Sequence, residues 1–153
     1  MITNMKHRTE PEEIKRRMIK TLKEKGYKLT PQRVEIIDLL SKDKTHASAM
    51  DVFKKVREKA PRMSVSTVYY TLDILIKEAL IRELEFYNTD NRYDVNLSNH
   101  LNLICTHCGK IEDFMEALPI SAQTVEKKIG FKPFQMRFEY YGNCKECRGK
   151  QQL

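Results

Sequence analysis

Residues 64–79 read SVSTVYYTLDILIKEA, and residues 80–95 read LIRELEFYNTDNRYDV. The first stretch has a helical pattern. Ser64 is the N-cap, and Val65, Val68, Leu72, Leu75 and Ala79 form one apolar stripe at the helical period. The second has a hairpin pattern. Ile81, Glu83 and Glu85 alternate with Arg82, Leu84 and Phe86, and Asn88-Thr89-Asp90-Asn91 is turn chemistry. Arg92-Tyr93-Asp94-Val95 then returns as a strand. A helix followed at once by a short hairpin is the order of a winged helix, a variant of the helix-turn-helix.

Toward the N-terminus the pattern predicts three more helices. Ile14, Met18 and Leu22 share a face over residues 12–25, and Gly26 closes that helix in the left-handed conformation. Thr30-Pro31 is a start signal, an N-cap followed by proline in the first helical position, with Val34, Ile37 and Leu40 on the inner face. Ser48 opens a third helix with Asp51 as its capping partner; Val52, Phe53 and Val56 face inward, and Pro61 ends it. Toward the C-terminus, residues 96–99 read as a hinge. Leu101-Leu103-Cys105 alternates as a strand, and Ile111 to Phe114 reads as another. A helix over 119–129 closes at Gly130, and Phe134, Met136, Phe138 and Tyr140 alternate as a last strand. The expected fold is α+β, with a winged-helix domain over residues 1–95 and a small α/β domain over 100–153.

Composition narrows the function. Apolar residues at 41% are enough for a core, and charged residues at 32% speak against a membrane protein. No apolar run approaches the roughly 20 residues of a membrane span, and residues 1–13 lack an apolar signal region, so a cytoplasmic chain is expected. The charge of +7 is uneven. Residues 1–63 hold 17 Lys+Arg against 9 Asp+Glu, a net of +8, whereas residues 96–153 hold 8 against 6, a net of +2. A basic N-terminal half fits a polyanionic partner.

Two motifs carry chemistry. Cys105-x-x-Cys108 and Cys144-x-x-Cys147 contain all four cysteines of the chain. Two such pairs fit one tetrahedral structural Zn²⁺, with four thiolates leaving no open coordination position. The other readings are two disulfides, which a cytoplasmic chain disfavours, or a redox pair, which lacks the expected βαβ setting. On the helix from Ser64, Ser66, Tyr70 and Asp73 point away from the apolar stripe, with Thr67 and Tyr69 on its flanks and Arg62 just before it. Hydroxyls of that kind bond phosphates or base edges, and aromatic rings contact the thymine methyl group. An ordinary solvated helix face is the alternative, and Asp73 counts against phosphate contact.

Four stretches resemble the ferric uptake regulator superfamily. They are residues 26–33 (GYKLTPQR), His46-Ala47-Ser48-Ala49, Ser66-Thr67-Val68-Tyr69, and the run from His100 through Cys105-Thr106-His107-Cys108-Gly109-Lys110-Ile111. The resemblance covers the chain from about Ile14 to Cys147. It implies a homodimer that binds a palindromic operator in double-stranded DNA and represses when a regulatory metal is bound; residues 100–153 are then the dimerisation domain. It also implies a regulatory site of His46, Asp94, His100 and Asp113 with Asn102 as the fifth position, taking Fe²⁺, Mn²⁺ or Zn²⁺. Ser66, Thr67, Tyr69, Tyr70 and Arg62 are the implied DNA contacts; family members often have arginine where this chain has Tyr70. Asp113, where iron sensors often have glutamate, is similar to the peroxide-sensing branch. The family usually has a second histidine where Asn102 stands, and an amide oxygen is a weaker ligand than imidazole for these metals. That departure keeps a second reading in view, a zinc-containing DNA-binding or interaction protein of the same fold that senses nothing; a zinc-uptake regulator is a third. No nucleophile–base constellation and no HExxH motif occurs, so no enzyme is expected.

Overall fold

The computed structural model describes residues 10–86, 89–116 and 119–149, and Asn88 of the expected hairpin turn lies outside them. The chain divides into two compact units, Met1–Leu97 and Ser98–Leu153.

The first unit carries four helices and a hairpin: α1 (Pro11–Glu24), α2 (Pro31–Lys42), α3 (Ala49–Lys59), α4 (Val65–Lys77), β1 (Arg82–Leu84) and β2 (Arg92–Asp94). Helix starts follow the sequence signals. The Thr30 hydroxyl accepts from the Arg33 N–H, and the Ser64 hydroxyl accepts from the Thr67 N–H. Ser48 and Asp51 form a reciprocal capping box, each side chain accepting the other's backbone N–H. Ile14, Met18 and Leu22 of α1 pack with Ile36, Ile37 and Leu40 of α2, Val52 and Val56 of α3, and Val68, Leu72 and Leu75 of α4 into one core. Lys15 and Lys42 both bond Asp38, at 2.7 and 2.8 Å, tying α1 to α2 and holding the Asp38 carboxyl down at about 2.

Three expected inward positions are not in the core. Val34 is only half-buried, and Ile36 takes the place assigned to it because α2 presents the i, i+1, i+4 set Ile36, Ile37 and Leu40 to α1. Val65 is exposed at the first turn of α4, while Thr71 and Ile74 are buried. Ala79 is exposed because α4 has already ended. Its N–H bonds the Ile76 carbonyl and the Leu80 N–H reaches back to Leu75, with Ala79 itself at φ 53°. This is the Schellman closure that Gly26 makes for α1, where the Tyr27 N–H reaches the Leu22 carbonyl. The difference is that α4 places an alanine in the left-handed position.

The second unit contains β3 (Leu101–Cys105), β4 (Ile111–Phe114), α5 (Ala122–Ile129), β5 (Glu139–Gly142) and the short α6 (Lys145–Arg148). The sheet order is β4-β3-β5, with β3 antiparallel to β4 and parallel to β5. Burial along β3 does not alternate as the sequence suggested. Leu101, Asn102, Ile104 and Cys105 are all buried, and only Leu103 is half-exposed. The last strand is also shorter than expected. Phe134 and Met136 lie outside β5, with Phe134 93% exposed. Phe138 also precedes β5, although its carbonyl accepts from the Asn102 N–H; alternation alone did not make a strand of 134–138 because the register with β3 begins at Glu139. Helix α5 starts at a Ser121 cap and closes at Gly130 (φ 68°), and none of its described residues is buried.

The two helix closures give a paired expectation. Ala79→Gly should raise stability by about 0.5–1 kcal/mol by removing a left-handed β-carbon, and Gly26→Ala should lower it by about 1 kcal/mol. Thermal and urea unfolding of both variants against the parent chain measures the two shifts.

Candidate metal centres and nucleic-acid interface

The sulfur quartet stands where the sheet of the second unit ends. Cys105 is the last residue of β3, Gly109 turns the first knuckle at φ 72°, and Cys144 follows β5 and opens α6. The parallel β3–β5 pairing brings these ends together, with the Thr106 N–H donating to the Gly142 carbonyl at 2.8 Å. All four Sγ atoms lie within 4.8 Å of one another. Cys108 Sγ and Cys144 Sγ are 3.8 Å apart, far beyond a disulfide bond and equal to the roughly 3.8 Å edge of a tetrahedron with metal–sulfur bonds of about 2.3 Å. The cysteines are free thiols. Backbone N–H groups of Cys144, Cys108 and His107 bond Cys105 and bring its thiol down to about 6. Cys144 is pushed up to about 12, chiefly by its bond to the Glu146 carboxylate, and burial pushes Cys147 up. The donor set and its spacing fit a closed tetrahedral Zn²⁺ site.

The first unit holds one buried histidine–carboxylate pair. The hairpin docks on the residues before α3. Ser48 and Arg92 make an antiparallel bridge, the Tyr93 N–H donates to the Ala47 carbonyl, and Arg92 donates to the His46 carbonyl at 3.1 Å. His46 takes a left-handed φ of 54°, uncommon outside glycine and a feature of functional positions. These contacts set His46 Nε2 at 3.8 Å from Asp94 Oδ1. The Asn96 N–H holds that same Asp94 oxygen at 2.7 Å, so the carboxylate orientation is fixed from the strand end.

The second unit holds another such pair. His100 Nδ1 lies 2.9 Å from the Ser98 carbonyl, which can only accept, so Nδ1 is the donor and the neutral ring offers its lone pair at Nε2. His100 Nε2 is 3.5 Å from Asp113 Oδ1. Asn102 is the register partner of Asp113 across β3 and β4. Its Oδ1 is buried and has no hydrogen-bond partner among the described residues. A buried carbonyl oxygen without a partner is costly, and a metal ion is one way to satisfy it. A lone-pair imidazole, a carboxylate and an orphaned amide oxygen are donors suited to Fe²⁺, Mn²⁺ or Zn²⁺.

The reading face of α4 is exposed where the sequence placed it. Ser66 and Arg62 are exposed, as are Tyr69 at 45% and Tyr70 at 60%. Thr67 is half-buried, and its hydroxyl lies 2.8 Å from the Ser64 hydroxyl, so part of its bonding capacity serves the cap. Tyr93 of the hairpin is buried, and burial raises its hydroxyl to about 12.

Two long-range supporting contacts escaped the sequence reading, that of Arg92 with the His46 carbonyl and Asp51, and that of Arg33 with Tyr70. Arg92 locks the hairpin to the His46 carbonyl and lies 3.7 Å from the Asp51 carboxylate. Arg33 is buried under Tyr70. These pairs are far apart in sequence and follow no period, so no sequence pattern signals them.

Comparison with known proteins gives a consistent result. The model of the ferric uptake regulator family matches residues 24–141. The chain is 39% identical over 134 residues to the peroxide operon regulator of Bacillus subtilis, covering 87% of this chain and 92% of that one. It is 33% identical over 133 residues to the peroxide-responsive repressor PerR of Staphylococcus aureus, covering 86% and 90%. Among solved structures, the ferric uptake regulator Fur of Helicobacter pylori, a protein with three functional metal-binding sites, matches with a TM-score of 0.74. Its identity is 33%, over 94% of this chain and 97% of that one. PerR of Streptococcus pyogenes, a peroxide-sensing gene regulator, matches with a TM-score of 0.52 at 29% identity, over 88% and 92%.

The cap before α3 offers a measurement on the first unit. Ser48→Ala removes the hydroxyl that accepts from the Asp51 N–H, while the Ser48 backbone N–H still donates to the Asp51 carboxylate; the loss should cost about 1 kcal/mol of stability, and Ser48→Thr should retain most of it. Urea unfolding followed by helical circular dichroism reads the loss.

Proposed function

Because this chain belongs to the ferric uptake regulator family, we propose that it is a DNA-binding transcription repressor whose grip on a palindromic operator depends on one regulatory metal ion held jointly by its two units. Members of this family are transcription regulators and not enzymes. The observation that carries the reading is that each unit holds a buried histidine–carboxylate pair, His46 with Asp94 and His100 with Asp113. One ion ligated by both pairs clamps the winged helix (residues 1–95) against the C-terminal domain (residues 100–153) across the hinge at 96–99. Differential binding to the clamped state is then the route from metal to DNA affinity. Asn102 supplies the fifth donor, an oxygen in place of an imidazole nitrogen, which moves the preference toward Mn²⁺ and Fe²⁺. Similarity to peroxide-responsive relatives supports a peroxide signal that ends in oxidation of His46 or His100 and loss of a ligand. Cys105, Cys108, Cys144 and Cys147 hold one structural Zn²⁺ per chain. The exposed apolar side chains Ile129, Phe131 and Phe134 of the second unit belong to a homodimer interface. No helix among the described residues is long and apolar enough to cross a membrane, which accords with a place in the cytoplasm beside DNA.

A second reading is favoured by one residue. With Asn102 in the histidine position, the protein binds DNA constitutively and senses no metal.

Two measurements test these assignments. Zinc-loaded protein is titrated anaerobically with Fe²⁺, Mn²⁺ or Zn²⁺ on an operator selected from random sequence. DNA affinity should rise by about tenfold or more, roughly 1.4 kcal/mol of coupling, and the gain should vanish in His46→Ala. Equal binding with and without metal, in both proteins, establishes the constitutive reading instead. Separately, native mass spectrometry should find one tightly held zinc per chain. Cys108→Ser should lose it, together with the sheet of the second unit, while the helical signal of the first unit persists. Retention of zinc by that variant would refute the quartet.

A further inference from the structure

Arg33 lies in the first turn of α2 and is 8% exposed. Its guanidinium donates to the Lys28 carbonyl. Its Nε is buried without a hydrogen-bond partner, and no carboxylate pairs with it among the described residues. An uncompensated buried cation is costly. The group that covers it is the Tyr70 ring, whose centroid lies 5.6 Å from the guanidinium carbon, within range for a cation held over an aromatic face. Tyr70 is 60% exposed on α4, beside Ser66 and Tyr69 on the face assigned to DNA. The ring therefore stands between a buried charge and the solvent. An exposed tyrosine would otherwise sample several rotamers. A cation fixed beneath one face, itself anchored to Lys28, selects one of them.

We propose that Arg33 is a positioning residue for sequence reading: it pins the Tyr70 ring so that the ring meets the 5-methyl group of a thymine in the operator. This rests on the DNA-binding reading above and adds to it which residue reads and what it reads. Arg33 does not reach a base itself, because it is nearly buried and tied to the Lys28 carbonyl. What this part of α4 offers to the groove is an aromatic surface, and the major-groove feature that an aromatic surface recognises is the thymine methyl group. Guanine, by contrast, is read by an extended arginine or lysine.

The test uses the full-length, metal-loaded protein and an operator selected from random sequence, with each thymine replaced in turn by uracil, which removes only the methyl group. The unmodified protein should lose about three- to tenfold in affinity at one thymine per half-site. Tyr70→Leu should bind the parent operator more weakly and be indifferent to uracil there; Tyr70→Phe should keep the penalty. Arg33→Met should shrink the penalty at that position alone, leave the slope of affinity against salt unchanged, and leave binding to random DNA unchanged. Arg33→Lys should restore part of it. A uracil penalty that persists in Tyr70→Leu or Arg33→Met overturns the proposal. So does a salt slope lowered by about one in Arg33→Met, which would make Arg33 a direct phosphate contact. If Arg33→Met does not fold, the exposed Tyr70 variants decide the reading role and Arg33→Lys decides the pinning, since an unchanged penalty in Arg33→Lys would mean that the planar stack does not matter. Failure to enrich any sequence in the selection would instead overturn the DNA-binding reading, and this inference with it.

Discussion

The meeting of Cys105 and Cys144 at one edge of a three-stranded sheet is the constraint on which the second unit depends. Its buried apolar residues among those described are Leu101, Ile104, Cys105, Ile111 and Cys147, a core too small to offset the conformational entropy of the segment. Two of those five are cysteines. Helix α5 buries none of its described residues within the chain, and Phe134 and Ile129 stand in solvent. A fold with so little interior needs covalent or coordinate ties, and four sulfurs at tetrahedral spacing provide them. The same arrangement fixes β3, because Cys105 is its last residue. The proposed zinc site would therefore help to hold Asn102, on the same strand, in register.

The first unit solves its problem differently. Its core draws on all four helices, and the histidine pair is positioned by hydrogen bonds. Arg92 reaches from the hairpin to the His46 carbonyl, and Ser48 and Asp51 fix the start of α3 one turn away. The left-handed φ of His46 is the local cost of turning its imidazole toward Asp94. Such strain persists only where the surroundings over-determine the backbone, and here a cap, a β-bridge and a guanidinium do so together.

Much of this was legible in the sequence because it is local. Thr30-Pro31, Ser48-x-x-Asp51 and the N-cap Ser64 each announce a helix start, and the two CxxC pairs announce a tetrahedral donor set. What was misread is what neighbours decide. Periodicity put Ala79 on the core stripe of α4, but the Schellman closure had already turned the chain away. Alternation put Phe134 and Met136 in a strand, but a strand needs a partner, and β3 first bonds this segment at the Phe138 carbonyl. Arg33 under Tyr70 was not legible at all, since residues 37 positions apart share no period.

Asn102 ties these threads together chemically. A second imidazole at that position would add a nitrogen donor and one more oxidisable ligand. The amide oxygen is neutral, harder than imidazole, and not a target for peroxide. In the proposed site, Asp94 and Asp113 with it make the donor set richer in oxygen than in nitrogen, and His46 and His100 are its oxidisable ligands. Losing either histidine breaks one unit's pair and leaves the other intact. Oxygen-rich ligation also weakens binding of Fe²⁺ relative to a site with more imidazole. On the proposed reading, the same substitution leaves two named side chains as the oxidisable ligands and weakens the hold on Fe²⁺.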